Sequence, residues 1–184
     1  MTQFTVPGMT GKEGAKVAEI LQKQLSRYND LHLTLKHVHW NVVGPNFIGV
    51  HEMIDPQVEL VRGYADEVAE RIATLGAAPK GTPGAIISDR SWDDYSLGRD
   101  TVAAHLAALD LVYDGVIADT RKGIEETEEP DPITNDMLIG HSAELEKFQW
   151  FVRAHLENAG GKLTHEGEST EKGAASSARS NGTK

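Results

Sequence analysis

The sequence predicts an all-α fold: a four-helix bundle with one long crossover between its second and third helices. Three observations predict it. Apolar residues recur at alternating steps of three and four through four long segments. The two-residue alternation of strands is nearly absent. The one long stretch punctuated by Gly and Pro falls between segments two and three.

The first helix starts at a capping box, Thr10-Gly11-Lys12-Glu13, in which Thr10 caps and Glu13 reaches back. Val17, Leu21, Leu25, Tyr28, Leu31, Leu35 and Val38 then form its apolar stripe, and Val43-Gly44-Pro45-Asn46 stops it. The second helix carries Phe47, Val50, Ile54, Val58, Val61, Ala65, Val68, Ile72 and Leu75, with Gly76 as its C′ residue. Pro56 inside it predicts a kink or one lost backbone hydrogen bond. Ala77 to Arg90, with Pro79, Gly81, Pro83 and Gly84, reads as the crossover, and a short helix is placed around Ser91–Ser96. Val102, Leu106, Leu109, Tyr113, Val116 and Ile124 mark the third helix. Asp131 and Pro132 supply an N-cap and an N1 proline for the fourth, whose stripe is Leu138, His141, Leu145, Phe148, Val152 and Leu156, ended by Gly160-Gly161. This connectivity is the ferritin-like topology. The predicted organisation is an N-terminal arm over 1–10, the bundle over 11–160, and a flexible, Gly/Ser/Ala-rich tail over 161–184 too poor in apolar residues to fold alone.

Composition narrows the chemistry. A net charge of −10 and a pI near 5.2 disfavour nucleic acid and anionic membranes as partners of the folded body. With no cysteine, thiol catalysis, disulfides and thiolate metal sites are excluded. Met1–Gly14 lacks the layout of a secretory signal, and no apolar run approaches the roughly 20 residues of a membrane span, so a soluble cytoplasmic protein is expected.

Four metal-capable side chains stand out: His39, His51, Asp66 and Glu70. Two imidazoles and two carboxylates suit iron, manganese or zinc. His39 and His51 flank the interhelical turn and can face each other across a hairpin. Asp66 and Glu70 follow on the same helix as His51, about 22 to 28 Å further along at the helical rise. Two arrangements satisfy that spacing: two unrelated half-sites, or two chains paired antiparallel so that each completes the other's site. No Glu-x-x-His pair occurs, which disfavours a di-iron site inside one bundle. His51-Glu52-Met53-Ile54-Asp55 lacks the second histidine of a zinc-protease motif.

The segment Lys36-His37-Val38-His39-Trp40-Asn41-Val42-Val43-Gly44-Pro45-Asn46-Phe47 through His51, then Asp66-Glu67-Val68-Ala69-Glu70-Arg71-Ile72, resembles the Dps family (DNA-binding protein from starved cells). The resemblance extends from about Val17 to Leu156 and includes Glu146–Phe151. It implies a hollow shell of twelve subunits whose ferroxidase sites lie at twofold interfaces, with histidines from one subunit and carboxylates from its partner. On that reading His39, His51, Asp66 and Glu70 bind iron(II), which is oxidised preferentially by hydrogen peroxide and stored as ferric mineral, protecting against oxidative stress. Trp40 intercepts stray oxidising equivalents, or is a core aromatic at a helix end. Glu52 and Asp55 resemble cavity-facing positions that nucleate ferric oxide, while Asp136, with His141 and Glu146, resembles a threefold pore. Each of these acids also reads as an ordinary solvated face. His32 is expected in the core and His37 in solvent, while the sequence carries no partner signal for His105 or His155.

A nucleoid-associated DNA-binding protein acting through its tails is the rival reading. The tail's cations (Lys162, Lys172, Arg179, Lys184) barely outnumber Glu166, Glu168 and Glu171. DNA binding is therefore expected to be weak, salt-sensitive and sequence-independent at most.

Overall fold

The computed structural model describes residues 4–181; Met1–Gln3 of the N-terminal arm and Gly182–Lys184 of the tail lie outside the described residues. Four long helices form the bundle: α1 (Gly11–Asn41), α2 (Phe47–Thr74), α4 (Val102–Thr127) and α5 (Pro132–Ala154). Two shorter ones, α3 (Pro83–Asp89) and α6 (Glu171–Asn181), lie in the crossover and the C-terminal segment. The core is the sum of the helical stripes, with Leu21, Tyr28 and Leu35 meeting Ile54, Val61 and Ile72 of α2, Leu109 and Tyr113 of α4, and Leu138 and Leu145 of α5.

Local signals act as their chemistry dictates. Thr10 and Glu13 complete both bonds of the capping box. Gly76 adopts φ +86°, its N–H bonds Ala73 O, and the Ala77 N–H bonds Ile72 O, the two bonds of a Schellman ending. α2 continues through Pro56. Asp131 is the N-cap of α5, and its carboxylate is held by Arg71 of α2 and by the Thr134 hydroxyl in the first turn of α5 itself.

The turn between α1 and α2 sets the register of the site. Gly44 (φ +99°) and Asn46 (φ +63°) take left-handed conformations that few residue types adopt readily. Just before them, β1 (Val42–Val43) pairs in parallel with β2 (Asp100–Thr101), tying this turn to the end of the crossover.

Three expectations need correction. The crossover helix is α3 at Pro83–Asp89, capped by Thr82, rather than Ser91–Ser96. The residues around 91–96 form no helix, and the Trp92 indole N–H donates to Asp30 Oδ2 at 2.8 Å. α5 ends at Ala154, before Gly160. The C-terminal segment is not a loose tail over its described length: α6 packs on α4 with Ala174, Ala175 and Ala178 buried. Large side chains are scarce there, but Ala104 and Ala108 on α4 let two small-residue faces approach closely.

Candidate metal centre

His39 lies in the last turn of α1 and His51 in the second turn of α2, and the tight turn between the helices stacks their rings at 3.6 Å between centroids. Each Nδ1 lies at hydrogen-bond distance from the other residue's backbone carbonyl, 2.9 Å for His39 and 3.0 Å for His51. A carbonyl only accepts, so both rings carry their proton on Nδ1 and leave the Nε2 lone pair available. That is the arrangement by which an outer hydrogen bond orients a metal-binding imidazole. His39 is 7% exposed, His51 is half-buried, and Phe47 lies 5.1 Å from the His51 ring.

Asp55 belongs beside this pair. Its Oδ1 is 3.3 Å from His39 Nδ1 and 2.7 Å from Lys36 Nζ, and the Lys36 hydrogen bond holds its carboxyl below the usual range. Glu52 is exposed one turn earlier. Lys36 escaped the sequence reading because a lysine three residues before a histidine reads as surface charge.

Asp66 and Glu70 occupy the far half of α2, both exposed and one turn apart. Asp66 borders a surface cavity of about 380 Å³ with Asn29, His32, Arg62, Ala65 and Ala69. Among the described residues, no three His, Asp or Glu side chains of this chain gather as a metal-binding group. The structure brings the two histidines together and leaves the two acids apart from them on the same helix.

The remaining expected residues go separate ways. Trp40 is 70% exposed and lines a groove with Leu33, Ile87 and Arg90, rather than the His39 pocket. His141 is buried, stacks on Tyr64 at 3.8 Å and bonds Glu67 Oε2 at 2.9 Å. Burial lowers its pKa despite Glu67. Asp136 is exposed, and Glu146 pairs with Arg121 and Ser142. His32 is half-buried, with Nδ1 on the Asn29 carbonyl. His37 bonds the Leu97 carbonyl at 2.8 Å instead of meeting open solvent. His105 and His155 meet partners that the sequence did not signal, the Tyr95 hydroxyl and the Phe151 carbonyl. One buried cluster went unread: His165 Nε2 lies 3.0 Å from Asp110 Oδ2, while Arg153 and Gln149 hold Oδ1. Its only sequence signal is an acid set between Leu109 and Leu111 in an apolar helix.

A ferritin-like domain family model matches residues 18–160. The DNA protection during starvation protein of Mycolicibacterium smegmatis is 78% identical over 179 residues, covering 97% of this chain and 98% of the relative. A solved structure, Mycobacterium smegmatis Dps, superposes with a TM-score of 0.92 at 79% identity, covering 95% of this chain and 99% of that one. A Dps protein from Streptomyces coelicolor gives a TM-score of 0.87 at 59% identity, covering 88% of this chain and 96% of that one.

Proposed function

Since the chain belongs to the Dps family of ferritin-like proteins, we propose that it is an iron-sequestering ferroxidase whose sites are completed between two copies in a dodecameric shell. The observation that carries this reading is the reciprocal His39–His51 clasp, which presents two Nε2 lone pairs about 22 to 28 Å along α2 from Asp66 and Glu70. Antiparallel pairing of two α2 helices brings each imidazole pair to a carboxylate pair. Iron(II) is the substrate, held by two neutral nitrogens and two carboxylates that offset its charge. Two bound ions each give one electron to hydrogen peroxide, whose O–O bond breaks to hydroxide, so no hydroxyl radical is released. Ferric product then collects inside the shell, with the exposed acids Glu52 and Asp136 in auxiliary roles, whereas buried His141 and ion-paired Glu146 take no part. Asp55, fixed by Lys36, orients His39.

Anaerobic iron(II) titration followed by peroxide tests it. Rapid ferric absorbance, with iron co-eluting in a shell-sized peak, is expected. D66A/E70A should still assemble yet oxidise iron no faster than a protein-free control, and full activity in that variant overturns the assignment.

The relatives' name supports a second reading, DNA association of the shell in a nucleoid-associated, cytoplasmic setting. Arg179 is engaged with Asp100, which subtracts one of the tail's few cations. Among the described residues no helix is long and apolar enough to cross a membrane. Gel shifts should show binding to duplex DNA that fades between about 50 and about 200 mM salt.

A further inference from the structure

The outward face of α2 carries one continuous polar stripe: His51, Asp55, Glu59, Arg62, Asp66 and Glu70, at steps of four, four, three, four and four. These residues fall within roughly a quarter-turn of arc on an ideal helix. Its two ends are the two halves of the proposed site, so its centre has a defined place in any symmetric pairing. If His51 of one protomer meets Asp66 and Glu70 of its partner, the twofold axis crosses α2 midway between them. Halfway to Asp66 falls between Val58 and Glu59, and halfway to Glu70 falls between Leu60 and Val61. Val58 and Val61 point into the core, whereas Glu59 and Arg62 point outward.

We propose that Arg62 of each protomer pairs with Glu59 of its partner across this axis, so that a neutral four-charge cluster fixes the antiparallel register that completes the metal centre. The inference rests on the intersubunit reading of that centre. Antiparallel symmetry sends Arg62 opposite positions 55 to 59 of the partner. Asp55 there is committed to Lys36, at 2.7 Å, which leaves Glu59 for Arg62. Within one chain the two residues meet only as an exposed i, i+3 pair at 3.1 Å, with side chains 72% and 59% exposed. Such a pair adds little to the stability of a lone helix. Charges desolvated against complementary partners do more for register and specificity. Arg62 also borders the cavity that holds Asp66 and His32, so the charge cluster and the carboxylate half-site share one surface.

Charge exchange tests it on the full-length protein. R62E places four acids at the axis and E59R four cations, and either should weaken association at least tenfold in dilution series read by native mass spectrometry. E59R/R62E restores neutrality and should recover wild-type assembly and iron(II) stoichiometry. The defect of the single variants should shrink at high salt. R62E that assembles like wild type, while D66A/E70A still abolishes iron(II) binding, overturns the axis assignment and leaves the functional reading intact. Undiminished iron(II) binding in D66A/E70A overturns both. If R62E does not fold, a single cysteine decides instead, since the chain has none of its own. E59C should form a covalent dimer with a short bismaleimide and E52C should not; no E59C cross-link overturns the proposal.

Discussion

Arg71, in the last turn of α2, places its Nη2 at 2.8 and 2.7 Å from the two carboxylate oxygens of Asp131, the N-cap of α5. Its Nε donates to Thr134 at 3.0 Å, and the side chains of the pair are only 14% and 4% exposed. Burial alone would raise the Asp131 pKa, but the Thr134 hydroxyl and Arg71 outweigh it and hold the carboxyl below its ordinary value. The pair therefore joins the carboxylate-bearing end of α2 to α5. R71A leaves a buried charge without its partner and should cost about 3 kcal/mol. Chemical denaturation should show a lower midpoint at unchanged slope, and an unshifted midpoint contradicts this account.

Subunit mixing tests whether the proposed metal centre is shared between two chains. H39A/H51A keeps its acids and D66A/E70A keeps its histidines, so each alone should be inactive. Co-refolded in equal amounts, they should regain roughly a quarter of the intact sites, because half the dimers are mixed and each mixed dimer holds one complete site. Iron(II) oxidation with peroxide reads the recovery. A mixture as inactive as its parents means that the two halves do not meet across an interface.

Helix positions were legible because a 3.6-residue period is written into Val17, Leu21, Leu25 and Tyr28, or into Ile54, Val58 and Val61. The spacing of His51 from Asp66 and Glu70 was equally plain, since helical rise converts number into distance. What was hidden depends on contacts between distant segments. Asp55 meets Lys36 only after the hairpin closes. The position of α3 turns on the cap that Thr82 supplies to Ala85. Alanine on α6 carries no hydrophobic signal of its own until a matching small-residue face on α4 receives it.

Buried histidines make stability depend on acid. Burial holds the pKa of His105 and of His141 below 6.5. Below that pH the unfolded chain takes up protons that the folded chain refuses. Stability is therefore full above the unfolded value and declines as pH falls toward the folded ones, by up to about 1.4 kcal/mol per pH unit for each group. Urea midpoints should drop from about pH 7 to about pH 5. H141Q should lower stability throughout but flatten that slope. A wild-type midpoint that stays level over the window counts against both histidines.

The C-terminal helix should detach as a unit. An isolated helix of 11 residues is marginal in water, so α6 depends on what it packs against. Ala175 is fully buried with Leu97, Ala104 and Ala108, while Glu171 accepts from the Ser96 N–H and hydroxyl, and Arg179 pairs with Asp100. A175E forces an unpaired carboxylate into that alanine interface, a penalty of several kcal/mol that three small side chains cannot offset. The helix then undocks, whereas α1 to α5 keep their own core. Hydrogen exchange should show lost amide protection over 171–181 with the bundle still protected, and tryptic cleavage after Lys172 should accelerate. Retained protection across α6 means that contacts other than the alanine face hold it. Global unfolding in A175E means that the segment is part of the cooperative core.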